Sequence, residues 1–520
     1  VSDVWFGAEA DKIQDLIFRS SRLSEVVGGS QRLTRFCDEF VDKNSLLNDA
    51  SVVVNDGGSF RIRFGDQSSA DAFGAALAES YFQALGSTLT VAPPVALEGG
   101  FKAAQDELQR RLIIAKRNKT RSGSTTQFPY LSLCASCGQE IATEHGRYVE
   151  GARAQYICAT CRTKHAERKR LGKELFLSRF YEAIDQSLLP PGHQIPRPED
   201  IGAYDSRGYV AYLFADGNGM GRLFANCQDE EQLKSLSNAL STTLYRCLGS
   251  TTSELLIRLR DDGVLKDKVP VLPFILGGDD LFAMLPAPWA LHFAQRLAQT
   301  YTGEFEQTAN GIPDGEAPTI GLAVVVAKAN YPYTLAYHHG HDLLENAKQV
   351  SKRLNQAKAG EHSSAISFAV ITSNQLPDPE QASLSLKPYF VDKDQPDWGL
   401  GVEQLLSARH TLRALPGTRL HAIGELFARY MTKDETQFAD FSLDFEKLLK
   451  RLAFHSQEKE DVDKVLLALG GNPKDAQWFK HNRGRSTFNK GHGFPDLIEA
   501  WRFLHRMDQP ISDYREEKGT

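Results

Sequence analysis

The chain has 520 residues, of which 41% are hydrophobic and 24% charged, with a net charge of -6. That length suits about three or four domains with a core that needs no disulfide staples. The mildly acidic balance excludes a globally basic nucleic-acid binder, so any anion site must be local. With no run of about 18 apolar residues, no transmembrane helix is predicted, and the N-terminus lacks a basic-then-apolar signal pattern.

Residues 4–8 begin the first segment as a strand, followed by a helical stretch with Ile13, Leu16, Ile17, Leu23 and Val26 on its apolar face. Gly28-Gly29-Ser30 read as a break before a second helix over 33–40. Strands at 51–54 and 60–64 flank Asn55-Asp56-Gly57-Gly58, a strong hairpin signal. An Ala-rich helix over 70–85 and a strand near 89–95 complete a β-α-β-β-α-β order, the ferredoxin-like arrangement. A Lys/Arg-rich helix over 101–121, two C-x-x-C pairs, a basic helix from 162 to about 188 and a proline-rich linker come next.

The second segment repeats that order. Its strands are 209–214, 269–276, 280–285 and 320–327, with helices between them, and a helix over 335–354 leads to a last strand at 365–371. Beyond about 399 the apolar spacing is helical, interrupted by a Gly/Asn/Arg-rich break at 481–492. The expected fold is α+β: two ferredoxin-like palms, a four-cysteine insert and a C-terminal helical domain. The expected bounds are 1–115 for the first palm, 116–200 for the insert, 201–390 for the second palm and 391–520 for the helical domain.

Asp216 ends the first strand of the second segment, and Asp279-Asp280 follow Gly277-Gly278 on a hairpin. In this topology that strand and hairpin are neighbours, so the three carboxylates should converge. Clustered carboxylates repel unless a cation joins them, and hard oxygen donors suit two Mg²⁺ or Mn²⁺ ions. Such ions can clamp a triphosphate and lower the pKa of an attacking ribose hydroxyl. Gly277 and Gly278 permit close approach of backbone to phosphate. Gly217, Gly219 and Gly221 open a helix with free N–H groups, with Arg222 in its first turn. Lys348 and Arg353 lie on the helix before the last strand and are candidates for neutralising the triphosphate. Walker A, G-x-S-x-G and H-E-x-x-H patterns are absent.

These residues resemble the catalytic palm of the Cas10/Cmr2 family, the large subunits of type III CRISPR complexes, and more distantly GGDEF cyclases. The family's D-G-D-N-M-G motif meets Asp216-Gly217-Asn218-Gly219-Met220-Gly221 here, so Asn218 stands at the second acidic position, which weakens or redirects one metal contact. The first segment is similar to the family's other palm through Ile13-Gln14-Asp15-Leu16-Ile17-Phe18, Ser21-Arg22 and Gly28-Gly29-Ser30. Its hairpin has no acidic pair, so that palm is expected to be non-catalytic. The resemblance makes Ser30 a candidate acceptor-nucleotide contact, with a helix N-cap as the alternative.

The resemblance implies a synthetase making cyclic oligoadenylate from ATP for antiviral signalling, gated by guide and target RNA through partner subunits. No His-Asp nuclease pair precedes the first palm, so no DNase activity is expected. Two rivals stand beside this expectation. One is a weak or dead scaffold subunit of an RNA-guided ribonucleoprotein; the other is a stand-alone cyclase with a different nucleotide product.

Cys134-x2-Cys137 and Cys158-x2-Cys161, 20 residues apart, fit a structural zinc site. Three further cysteines, Cys37, Cys227 and Cys247, are scattered. That usage suits a reducing cytoplasm. Basic runs at 116–121, 168–170 and 480–492 are candidates for RNA phosphate contact or plain solvated faces.

Overall fold

A computed structural model describes residues 3–514, apart from 12, 21, 43, 48, 119–130, 149–152, 169–175, 192–194, 309–317, 359–362, 373–384, 396, 431–437, 472–478 and 482–488. The basic positions 119–121, 169–170 and 483–485 therefore lie outside the described residues.

Palm 1 runs β1 (Val4–Ala10), α1 (Ile13–Phe18), α2 (Leu23–Asp42), β2 (Ser51–Asp56), β3 (Ser59–Phe64), α3 (Gln67–Leu85), β4 (Leu89–Val91) and a short β5 (Val95–Ala96). The sheet order is β2-β3-β1-β4, with β5 also on β1 and all of β1's pairings antiparallel. Strand alternation divides β1 between two cores. Val4, Phe6, Ala8 and Ala10 face α2 and α3, while Trp5 joins a second cluster with Leu108, Leu112, Leu223, Leu236 and Leu240. The latter leucines lie on α4 (Phe101–Asn118), α8 (Met220–Asn226) and α9 (Glu230–Asp261), so this second core joins palm 1 to palm 2.

Gly28-Gly29-Ser30 do not break the chain as expected; they lie inside the 20-residue helix α2, which starts at Leu23 after α1 ends at Phe18. The insert explains the glycines. It comprises β6 (Glu144–Gly146), β7 (Gln155–Ile157), α5 (Ala159–Arg168) and α6 (Phe176–Glu182), and α5 packs on α2. A Cβ at Gly29 would sit 3.3 Å from Lys164 Cε of α5. Of the basic helix expected from 162 to about 188, α5 and α6 describe 159–168 and 176–182, residues 169–175 lie outside the described residues, and the helix ends at Glu182 rather than near 188.

After α7 (Pro198–Gly202), palm 2 adds β8 (Tyr209–Gly217), β9 (Leu272–Gly277), β10 (Asp280–Pro286), α10 (Ala290–Thr308), β11 (Ile320–Lys328), α11 (Tyr333–Ala357) and β12 (Ala365–Val370). Its order, β13-β12-β11-β8-β10-β9, embeds the palm 1 pattern and extends it by β12, parallel to β11, and β13 (Tyr389–Phe390). Every residue of β8 but Asp216 is buried, as suits a central strand covered on both faces.

Helices α12 (Val402–Thr411), α13 (Gly417–Tyr430), α14 (Phe438–Leu452), α15 (Ser456–Ala468) and α16 (Phe494–Ala500) form the C-terminal region. The break expected at 481–492 carries a small hairpin, β14 (Phe479–His481) with β15 (Asn489–Gly491). This region is tied to palm 2 by buried hydrogen bonds. Met507 N–H donates to His292 Nδ1 on α10 at 2.8 Å, and Asp496 of α16 accepts from Ser385, the Leu386 N–H and Tyr389. Among the described residues no helix is long and apolar enough to cross a membrane.

Candidate active site and metal centres

Asp216 sits near the end of β8, between Gly321 of β11 on one side and the start of β10 on the other. The β9–β10 turn brings Asp279 and Asp280 beside it, with Gly278 at φ +61° making the reversal. Ligand oxygens of the three aspartates lie within 4.8 Å of one another. Asp216 and Asp279 are half-buried and Asp280 is exposed.

Loss of hydration in the cleft, and then the neighbouring carboxylates, push Asp279 and Asp280 well above the usual carboxylate range. Lys348 of α11 opposes that shift and forms an ion pair with Asp216. Gly321 makes this pair possible: a Cβ there would fall 2.5 Å from Lys348 Cγ. Set against three carboxylates, Lys348 leaves the cluster net negative, and its donors are all hard oxygens, so the residues present fit a divalent cation.

The remaining palm 2 positions divide. Gly277 and Gly278 line a cavity of about 600 Å³ with Asp279 and Asp280, and Gly221 lines its far side. Gly217 closes β8, and Gly219, at φ +74°, caps the seven-residue α8. Asn218 is tied to Thr319: its Nδ2 donates to Thr319 Oγ1 at 3.0 Å and its N–H to the Thr319 carbonyl at 2.8 Å. Arg222 is exposed on α8. Arg353 is half-buried on α11. It lies five residues past Lys348 and so about 140° around the helix from it. Ser30 is buried mid-helix in α2 and does not line the cavity, and its place inside α2 excludes the N-cap role.

Palm 1 supplies the opposite wall of the cavity. Asp56, Gly57 and Ser59 of its degenerate hairpin, Arg61 of β3 and Gln105 of α4 line it. Sequence reasoning missed the part that Gly321 plays, and it missed Thr319 and this α4 wall. Thr319 carries no motif, and the wall exists only because the second core docks α4 beside α8 and α9.

The second cluster lies in the insert. Cys134, Cys137, Cys158 and Cys161 place their sulfurs within 4.8 Å of one another. Backbone N–H groups of Ser136 and Cys161 donate to Cys134 and Cys158 sulfurs at 3.4 Å, as thiolate ligands require. His145 and His165 are not part of this group. The module is clamped to palm 1 by Arg35–Glu167 at 2.6 Å, Arg19–Glu140 at 2.8 Å and a buried network in which Ser20 and Ser136 both bond Glu25. Of the flanking basic residues, Lys116 is committed to Glu9 at 2.6 Å.

Comparison with known proteins agrees with this geometry. Residues 209–357 match the family model described as Cas10/Cmr2, second palm domain. No curated protein matches the chain. Among solved structures, Csm1 of T. onnurineus superposes with a TM-score of 0.56 at 14% identity, covering 97% of this chain and 70% of that one. The Csm1-Csm4 cassette, free and in complex with cA4, gives 0.52 at 15% and 13% identity with the same coverages. Over residues 209–357 the chain is similar to the Cas10/Cmr2 second palm domain, and it shares the fold of Csm1 along nearly its whole length.

Proposed function

We propose that this chain is a palm-type nucleotidyltransferase that joins ATP into cyclic oligoadenylate, as the nucleotide-making subunit of a type III CRISPR assembly. The observation that carries this is the convergence of Asp216, Asp279 and Asp280 at the rim of a cavity walled by both palms. Its volume, about 600 Å³, falls within the range of small-molecule sites.

Mg²⁺ or Mn²⁺ held by the three aspartates would supply charge neutralisation for the triphosphate and acidify a ribose hydroxyl. The chain's own residues position the reactants. Lys348 pairs with Asp216 and orients it. Gly277 and Gly278 leave the backbone open to a phosphate. The palm 1 wall confines the second nucleotide and limits water. In the reaction the 3′-oxygen of one nucleotide bonds to the α-phosphorus of the next, its proton passes to solvent, and pyrophosphate leaves with the electron pair of the broken P–O bond.

The choice of adenine is supported by relatives of the same fold described with cA4, cA3 and pppApA. A Csm4-like subunit with guide and target RNA is the expected setting. Zn²⁺ on the four thiolates would leave no open position and so be structural.

Incubating the purified chain with labelled ATP or GTP and Mn²⁺, with and without RNA and partner subunits, tests the reading. Oligoadenylate that disappears in Asp279→Ala/Asp280→Ala supports it, and product that persists there refutes it. One observation favours a second reading, a scaffold with a weak site: Asn218 spends its amide on Thr319. No product under any condition, with tight association to CRISPR-type subunits, selects the scaffold.

A further inference from the structure

The palm 1 wall holds an arrangement that the nucleotidyl transfer itself does not use. Trp5, fully buried on β1, donates its indole N–H to Oε1 of Gln105 on α4 at 2.7 Å. An indole nitrogen can only donate, so the amide oxygen must face it and the amide has one possible orientation. Gln105 is only 6% exposed, yet it lines the cavity together with Gly277, Gly278, Asp279 and Asp280. Its Nε2, with two N–H groups, has no partner among the described residues, and the side chain lines that space.

One helical turn on, Gln109 repeats the pattern more loosely. Its oxygen accepts from the Arg61 guanidinium, another donor-only group, at 3.4 Å. The carboxylate of Glu9 on the same wall is already engaged by Arg61 and Lys116. The wall beside Gln105 therefore offers hydrogen-bond donors, fixed in direction, to whatever occupies the cavity.

We propose that Gln105, oriented by Trp5, is a base-binding residue that donates from Nε2 to an unprotonated ring nitrogen of adenine on the nucleotide in this cavity. The inference rests on the nucleotidyltransferase reading above. A site built to donate rejects a base that lacks the acceptor, because its own buried donors are then left unpaired.

The test is equilibrium binding of α,β-methylene ATP with Mg²⁺ to the full chain, beside its 1-deaza, 3-deaza and 7-deaza analogues and inorganic tripolyphosphate. Gln105→Glu keeps the side-chain shape and the acceptor for Trp5 but replaces the donor by a carboxylate oxygen. The expected result is a tenfold or greater loss of nucleotide affinity in Q105E with tripolyphosphate affinity unchanged. Wild type should lose a similar factor with one deaza analogue, and Q105E should lose little more with that same analogue, the signature of a shared contact. Trp5→Phe, which frees the amide to flip, should lie between the two.

Equal nucleotide binding by Q105E and wild type overturns the proposal. So does an equal loss for tripolyphosphate, or wild-type binding indifferent to all three deaza changes. The deaza series needs no variant and decides the matter even if Q105E fails to fold. Wild type that binds neither nucleotide nor tripolyphosphate overturns the nucleotidyltransferase reading as well.

Discussion

Asp279 and Asp280 are held in a state that an isolated carboxylate avoids: poorly hydrated, beside each other and beside Asp216, with Lys348 as counter-charge. A carboxyl whose folded pKa is raised binds its proton more tightly in the native state than in the unfolded one. The metal-free protein should therefore lose stability as pH rises from the ordinary carboxylate range through the raised values. Mn²⁺ should restore that loss, because it replaces the proton as the neutralising charge. Asp280→Asn should raise the melting temperature in EDTA and weaken Mn²⁺ binding about tenfold or more, or about 1.4 kcal/mol. Melting curves in EDTA and in Mn²⁺ at several pH values check both signs. Lys348→Met should act oppositely, lowering metal-free stability by about 1 kcal/mol for a partly exposed pair. The convergence of Asp216 with Asp279-Asp280 was legible in the sequence because strand order alone places β8 beside the β9–β10 hairpin. Gly321 and Thr319 were not, since their parts depend on contacts across β11 that no local pattern encodes.

Helix α2 and the cysteine module illustrate the limits of local rules at the level of elements. Two adjacent glycines signal a break, yet α2 runs through them because α5 packs closely there. Tertiary packing overrode propensity. The C-x-x-C pairs were legible for the opposite reason: ligand spacing is a local property, and the four sulfurs meet as that spacing requires. Cys158→Ser should abolish stoichiometric metal in the insert and release α5 from α2. Atomic absorption and hydrogen exchange over residues 159–168 check this, with protection falling there first.

Two histidines, His292 on α10 of palm 2 and His492 just before α16, make a pH prediction of their own. Burial holds His292 and His492 at about 4, His292 also feeling Arg506. A histidine kept neutral in the native state binds its proton only on unfolding, so its stabilising effect is present above about 6.5 and lost as pH falls toward 4. Acid unfolding monitored at the C-terminal tryptophans should begin in that window, and His292→Gln should blunt it.

The whole molecule depends on how two palms of one topology are set against each other. The repeat was legible from the recurring β-α-β-β-α-β order, but not the docking between the copies. That docking rests on the second core around Trp5 and Leu108 and on Phe18 of α1. The Phe18 ring stacks on Tyr337 of α11 with centroids 3.8 Å apart, and beside it Tyr333 donates to the Ser20 carbonyl. Phe18→Ala should cost about 3 kcal/mol, the lower end of the range for aromatic truncation because the ring is only half-buried. It should also depress nucleotide binding, since the cavity needs both walls. Denaturant melts and binding isotherms together separate it from a surface change, which would move neither.

The most direct test of the account is anomalous diffraction at the manganese edge from crystals of the chain soaked with Mn²⁺ and ATP. The account predicts manganese peaks at Asp216, Asp279 and Asp280 with the triphosphate beside them. Ordered nucleotide without manganese at these three side chains, or manganese bound only elsewhere, would contradict it.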